Sequence, residues 1–148
     1  MANTSRDVTI GQPESSPLPL NGLRAAVLGS TTGIGRAVAL ELAAVGADVI
    51  IHGRSSEKEA RAVSDIIRSS GRRSEVMMAD LGDRAAGDEL VERAWSLWDG
   101  LDAWLHLAGA DTLTGDASRL SFDAKLDLLW EVDVVSAMRL CRSIGARM

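Results

Sequence analysis

Three glycines, Gly29, Gly33 and Gly35, stand in the stretch LGSTTGIGRA with the spacing G-x-x-x-G-x-G. A diphosphate can be held by peptide N–H groups only where the backbone comes close, and a Cβ at such points would block it. A helix opening here would add unpaired N–H groups and the positive end of its dipole. Ser30, Thr31 and Thr32 bring hydroxyl donors into the turn, and Ile34 sits between the last two glycines. The plainer alternative is a strand-to-helix turn that needs glycine only for its shape. An apolar run before the turn and a helical pattern after it favour nucleotide binding. A further candidate for phosphate is Arg54, whose planar, permanently charged fork follows the next apolar run.

These residues need elements to hold them. Residues 25–28 read as a short apolar strand. Residues 36–45 read as a helix with Ala37, Leu40, Ala44 and Val45 at helical spacing, stopped by Gly46. Val49, Ile50 and Ile51 form a β-branched run suited to a strand buried on both faces. Ser56 and Glu59 have the spacing of a capping box, which opens a helix reaching about residue 70. SEVMMAD is a third strand, and Asp83 can cap a helix over 84–98 with Leu90, Ala94, Leu97 and Trp98 as its apolar face. LDAWLHLAG is a fourth strand. A polar loop over 110–121 leads to a long helix over 122–147, with Leu126, Leu129, Trp130, Val134 and Met138 on one stripe. Strands alternating with helices imply a parallel sheet with right-handed crossovers. Residues 1–21 hold all three prolines and read as a mobile leader before one domain over 22–148.

The chain has 148 residues, a net charge of −5 and 46% hydrophobic residues, which suits one domain with a real core. No basic patch of the kind that tracks a phosphate backbone is present, so no nucleic-acid partner is expected. No membrane span or signal segment is expected either, and the single Cys141 suits a reducing, cytoplasmic setting. Cys141 itself reads as an inert helix residue. Trp95, Trp98, Trp104 and Trp130 read as packing residues. His52 and His106 lie at successive strand ends without cysteine or carboxylate partners at ligand spacing, so no metal site is expected.

The residues quoted above resemble the short-chain dehydrogenase/reductase family. LGSTTGIGRA is similar to its glycine signature. Asp80-Leu81 closes the third strand where the family has an acidic residue that meets the adenine. His106 to Gly109, HLAG, stands where the family usually shows Asn-Asn-Ala-Gly. Leu129 to Ser143 resembles the fourth crossover helix, with Asp133 in place of a family Asn that holds a kink and a water beside the catalytic lysine. The resemblance covers residues 22–148. It implies an α/β, Rossmann-like doubly wound parallel sheet with strand order 3-2-1-4, ending before a fifth strand. It assigns cofactor contacts to Gly29, Ser30, Thr31, Thr32, Gly33, Ile34, Gly35, Arg54, Ser55, Asp80, Leu81, Ala108 and Gly109. NADP(H) is expected over NAD(H), because no acid follows the second strand to bond ribose hydroxyls while Arg54 and Ser55 do.

The resemblance also implies hydride transfer to or from a carbonyl or alcohol substrate, with a Ser and a Tyr-x-x-x-Lys handling the proton. The sequence has no tyrosine, and its lysines, Lys58 and Lys125, precede the place for that motif. Asp133 is the one weak catalytic candidate. These 148 residues are therefore expected to be an inactive, incomplete cofactor-binding half with an exposed fourth-strand edge. Two other readings stand beside this one: a non-catalytic NADP(H)-binding module or truncated pseudoenzyme, and one half of a split enzyme. A homo-oligomer or a complementing chain is the expected protein partner.

Overall fold

The computed structural model describes residues 17–148; residues 1–16, most of the expected leader, lie outside the described residues. Four strands, β1 (Arg24–Leu28), β2 (Asp48–Gly53), β3 (Ser74–Met78) and β4 (Ala103–His106), form one parallel sheet in the order β3-β2-β1-β4. That is the order 3-2-1-4 expected from the resemblance. β1 runs beside β2 from Arg24 opposite Asp48 to Val27 opposite Ile51, and beside β4 from Ala25 opposite Ala103 to Leu28 opposite His106. Helices cover both faces, so the central strands must be apolar on both sides. Ala25 to Leu28 and Val49 to Ile51 are accordingly at most 1% exposed.

On one face α1 (Gly33–Ala44) and α2 (Glu57–Ser69) pack against Val27, Val49 and Ile51. On the other, α3 (Arg84–Leu97) and α5 (Ala137–Gly145) pack against Ala26, Leu28 and Ile50 through Leu90, Val91, Leu140 and Ile144. Each such aliphatic side chain contributes about 2 kcal/mol by leaving water. Between them lie α4 (Phe122–Leu129) and a π-helical segment, Trp130–Ser136.

The buried stripes differ from the expected ones in three helices. α1 starts at Gly33 and buries Gly35, Ala39 and Ala43 rather than Ala37, Leu40, Ala44 and Val45. Small side chains let its axis lie close on the sheet, and the larger residues flank the contact. In α3, Leu97 is 37% exposed, and the buried face is Gly87, Leu90, Val91 and Ala94. The expected stripe on the last helix divides: Leu126, Trp130 and Met138 are 51%, 60% and 70% exposed, whereas Leu129 and Val134 are half-buried. The side that packs is Ser136, Leu140 and Ile144, and Trp130 is therefore not a packing residue.

Two end signals also divide. The Asp83 side chain accepts from the N–H groups of Ala85 and Ala86, as expected of a cap. Ser56 makes no side-chain capping bond, so the capping box is not formed, although Glu57 and Glu59 suit the positive end of α2. Gly46 ends α1 with φ +111°, in the left-handed region. Leu20 N–H donates to Val45 O at 2.9 Å beside it.

At the N-terminal ends of the strands, Arg24 ties the sheet to α3. Its Nε and Nη2 each lie 2.8 Å from the Asp102 carboxylate, and its Nη1 donates to the carbonyls of Trp98 and Asp99. The guanidinium pulls the Asp102 carboxyl down to about 2. Among the described residues β4 is paired on one side only. An open groove of about 500 Å³ runs along it, lined in part by Leu23, Leu42, Trp104, Leu105 and Ile144. No helix among the described residues is long and apolar enough to cross a membrane.

Candidate functional site

The C-terminal ends of the four strands all face one way, and close contacts draw them together. Gly29, the last turn of chain after β1, has φ +74°, and a Cβ there would lie 2.6 Å from Ala108 Cα. Gly35 is tighter: its Cβ would lie 2.1 Å from Gly29 O. At the last residue of β2, a Cβ on Gly53 would meet Thr31 Cγ2 at 2.6 Å. The glycine turn is thus wedged between the ends of β2 and β4. Gly33, with φ +55°, faces open space instead.

α1 begins in that turn without neutralisation. Thr32 is its N-cap but makes no side-chain capping bond, and no acid occupies the first turn. The first amides and the positive dipole end are left to another acceptor, the arrangement that binds anions at helix N-termini. Thr32, Gly33 and Ile34 are exposed beside it, Ile34 by 76%. Ser30 is a correction. It is fully buried, its hydroxyl donates to Val27 O at 2.7 Å and accepts from His52 N–H at 3.0 Å. It shapes the turn and has no hydroxyl donor left for a ligand.

Arg54 and Ser55 follow β2 and are exposed, and among the described residues Arg54 makes no ion pair. Asp80 is exposed after β3 and its Oδ1 accepts from Gly82 N–H at 3.0 Å. Leu81 is only 4% exposed and packs in the core, so only its backbone can face a ligand. Asp133 reaches down from the π-helical segment. Its Oδ1 accepts from Ala110 N–H at 2.7 Å and lies against Gly109. The segment's wider coil is closed by Ser136 Oγ donating to Val132 O at 2.5 Å. Such segments within helices occur frequently at functional sites. Asp133 lies in this one.

His52 is the brace the sequence did not disclose. Gly29 N–H donates to its Nδ1 at 3.2 Å, which leaves the proton on Nε2 to donate to Ala79 O at 3.1 Å. One neutral ring thereby joins the ends of β1, β2 and β3. Burial holds its pKa down at about 4, against an ordinary value of 6.5. The folded protein therefore resists a proton that the unfolded chain accepts. Stability is full above pH 6.5 and declines as pH falls toward 4, by up to about 1.4 kcal/mol per pH unit. Urea melts at pH 7.5 and pH 5.0 should differ by roughly 2 kcal/mol, and His52→Gln should flatten that slope. An unchanged slope in the variant would assign the titration to other groups.

His106 ends β4 with both ring nitrogens buried and unpartnered among the described residues. Burial lowers its pKa, and the nearby Asp133 carboxylate works in the opposite direction. No group of three or more histidine, cysteine or carboxylate side chains gathers among the described residues.

A family model described as short chain dehydrogenase matches residues 24–148. The chain belongs to that family. Among the relatives of this short-chain dehydrogenase are a 3-oxoacyl-(acyl-carrier-protein) reductase from Aggregatibacter actinomycetemcomitans, 42% identical over 44% of the chain and 27% of the relative. A hydroxynaphthalene reductase-like protein from Metarhizium robertsii is 35% identical over 66% of the chain and 37% of the relative. The solved structure of a short chain dehydrogenase from Burkholderia cenocepacia in complex with NADP superposes with a TM-score of 0.76, at 35% identity, over 86% of the chain and 51% of that protein. A blue fluorescent protein from a metagenomic library in complex with NADPH superposes with a TM-score of 0.75, at 29% identity, over 87% and 52%. The chain spans about half of these structures and a smaller share of the curated relatives. The Rossmann-like sheet expected from the glycine signature is the one these structures share.

Proposed function

We propose that the chain is the dinucleotide-binding portion of an oxidoreductase and that it holds NADP(H) in preference to NAD(H). The observation that carries this is the uncapped start of α1, opened by Gly33 and wedged in place by Gly29 and Gly35. In this reading the diphosphate lies on the amides after Thr32, with Thr31 and Thr32 as hydroxyl donors. Arg54 and Ser55 receive the ribose 2′-phosphate, Asp80 and the Leu81 backbone flank the adenine, and Ala108 and Gly109 line the nicotinamide side. Bound NADP(H) supplies or accepts hydride. Asp133 keeps the loop after Gly109 in register by accepting from Ala110 N–H. With no tyrosine in the sequence, proton transfer to a carbonyl or alcohol is not expected of these 148 residues by themselves. The open side of β4 accepts a further strand, of this polypeptide or of a complementing one.

The test is a fluorescence titration of folded protein with NADPH and NADH. Saturable binding of NADPH, tighter than that of NADH and without turnover of carbonyl compounds, is the expected result. Well-folded protein that takes up neither dinucleotide would refute the proposal.

A further inference from the structure

A second cleft lies away from the strand ends, between the N-terminal half of α3 and the C-terminal half of α5. It is open, about 640 Å³ in volume, and Arg84, Arg139, Arg142 and Arg147 line it with Asp88 as the one acid. The chain as a whole carries a net charge of −5, so this concentration of guanidinium groups runs against its composition. Two of the four have partners on the rim. Arg139 Nη2 lies 2.7 Å from Asp88 Oδ1, and Arg147 pairs with Glu92. These pairs add surface ties between α3 and the C-terminal segment, whose packing rests on Leu90, Val91, Leu140 and Ile144. The Arg84 and Arg142 side chains have no ion pair among the described residues. Arg142 suits the negative end of α5. Arg84 stands at the first position of α3, next to the capping carboxylate of Asp83, which is occupied by the amides of Ala85 and Ala86.

We propose that this cleft is an anion site for a small molecule bearing two or more phosphate or carboxylate groups. Arg84 and Arg142 would be its primary forks, with Arg139 and Arg147 contributing from their ion pairs. Guanidinium groups recognise both anions by the same bidentate geometry. The proposal is independent of the dinucleotide reading.

Citrate and pyrophosphate are the probes, with acetate as the monovalent control, followed by NMR of the arginine side-chain N–H signals. The expected result is a saturable shift at Arg84 and Arg142 with citrate, pyrophosphate or both, and a Kd below about 1 mM at low salt. Response to pyrophosphate alone identifies phosphate as the ligand group, and response to citrate alone identifies carboxylate. Pyrophosphate at the glycine turn would move the amides of Gly33 to Gly35, a separate set, so failure at either site is seen by itself. The double variant R84Q/R142Q breaks no ion pair among the described residues and should weaken binding at least about tenfold. No saturable shift, a response to acetate equal to that of citrate, or undiminished binding by the folded double variant would overturn the proposal.

Discussion

Gly35→Ala is expected to lose the glycine turn and the dinucleotide together. The added methyl carbon would lie 2.1 Å from Gly29 O and 2.8 Å from Gly29 C. Both are backbone atoms, so no side chain can swing aside. Gly29 is itself a close-approach position, where an added Cβ would lie 2.6 Å from Ala108 Cα, so little room remains for the turn to shift. α1 must therefore lift from the end of β1. Overpacking of this kind costs about 1–3 kcal/mol, and here the upper end applies because backbone opposes backbone. The helix amides move with the helix, so dinucleotide affinity falls along with the melting temperature. Gly33→Ala is the informative contrast. Its methyl would meet nothing within 4 Å, and the only intramolecular penalty is the left-handed φ of +55°, about 1–2 kcal/mol. It should stay folded and yet bind NADPH at least about tenfold more weakly, since the methyl occupies the diphosphate's approach. Thermal melts and titrations of both variants decide the matter. A Gly35→Ala protein that melts like the parent would show that the turn is not wedged as described.

That contrast bears on what could be read from sequence. The strands were legible because a strand buried on both faces is simply an unbroken apolar run, and Val49 to Ile51 is one. The glycine turn was legible because its spacing has few other uses. Helix faces were not, and the reason is specific. The contact of α1 with the sheet is made by Gly35, Ala39 and Ala43, residues whose value lies in being small, whereas a search for apolar stripes finds the larger Leu40 and Val45. The last helix misleads differently, because several large apolar residues, Leu126, Trp130 and Met138, lie exposed while Ser136 lies on the inward side with Leu140 and Ile144. The π-helical segment contains Asp133, whose bond to Ala110 spans 23 residues, a contact that no local pattern encodes. His52 carries a signal of its own. A histidine at the end of a β-branched run in a strand buried on both faces needs a hydrogen-bonding reason to be there. The reason is that its ring fastens three strand ends at the level of the glycine turn.

Arg54→Asp should reverse the order of preference between the two dinucleotides. In the parent, the guanidinium stands exposed beyond β2 without an ion pair among the described residues, so it is not needed to balance a charge of the fold. Its replacement should leave the melting temperature nearly unchanged. Hydrogen bonds to a charged group contribute about 1.5–3 kcal/mol, so losing them weakens NADPH binding roughly 10- to 100-fold. The aspartate also repels the 2′-phosphate, which places the loss toward the upper end at low salt and reduces it as salt screens the pair. With NADH the sign changes, because a carboxylate after the second strand can accept from the ribose hydroxyls, and affinity should rise several-fold. Arg54→Gln separates the two effects: it removes the cation without adding an anion, so NADPH binding falls while NADH binding stays where it was. Titrations of the three proteins with both dinucleotides at two salt concentrations read every one of these shifts. NADPH affinity that is the same with arginine, glutamine and aspartate at position 54 would take this side chain out of the site.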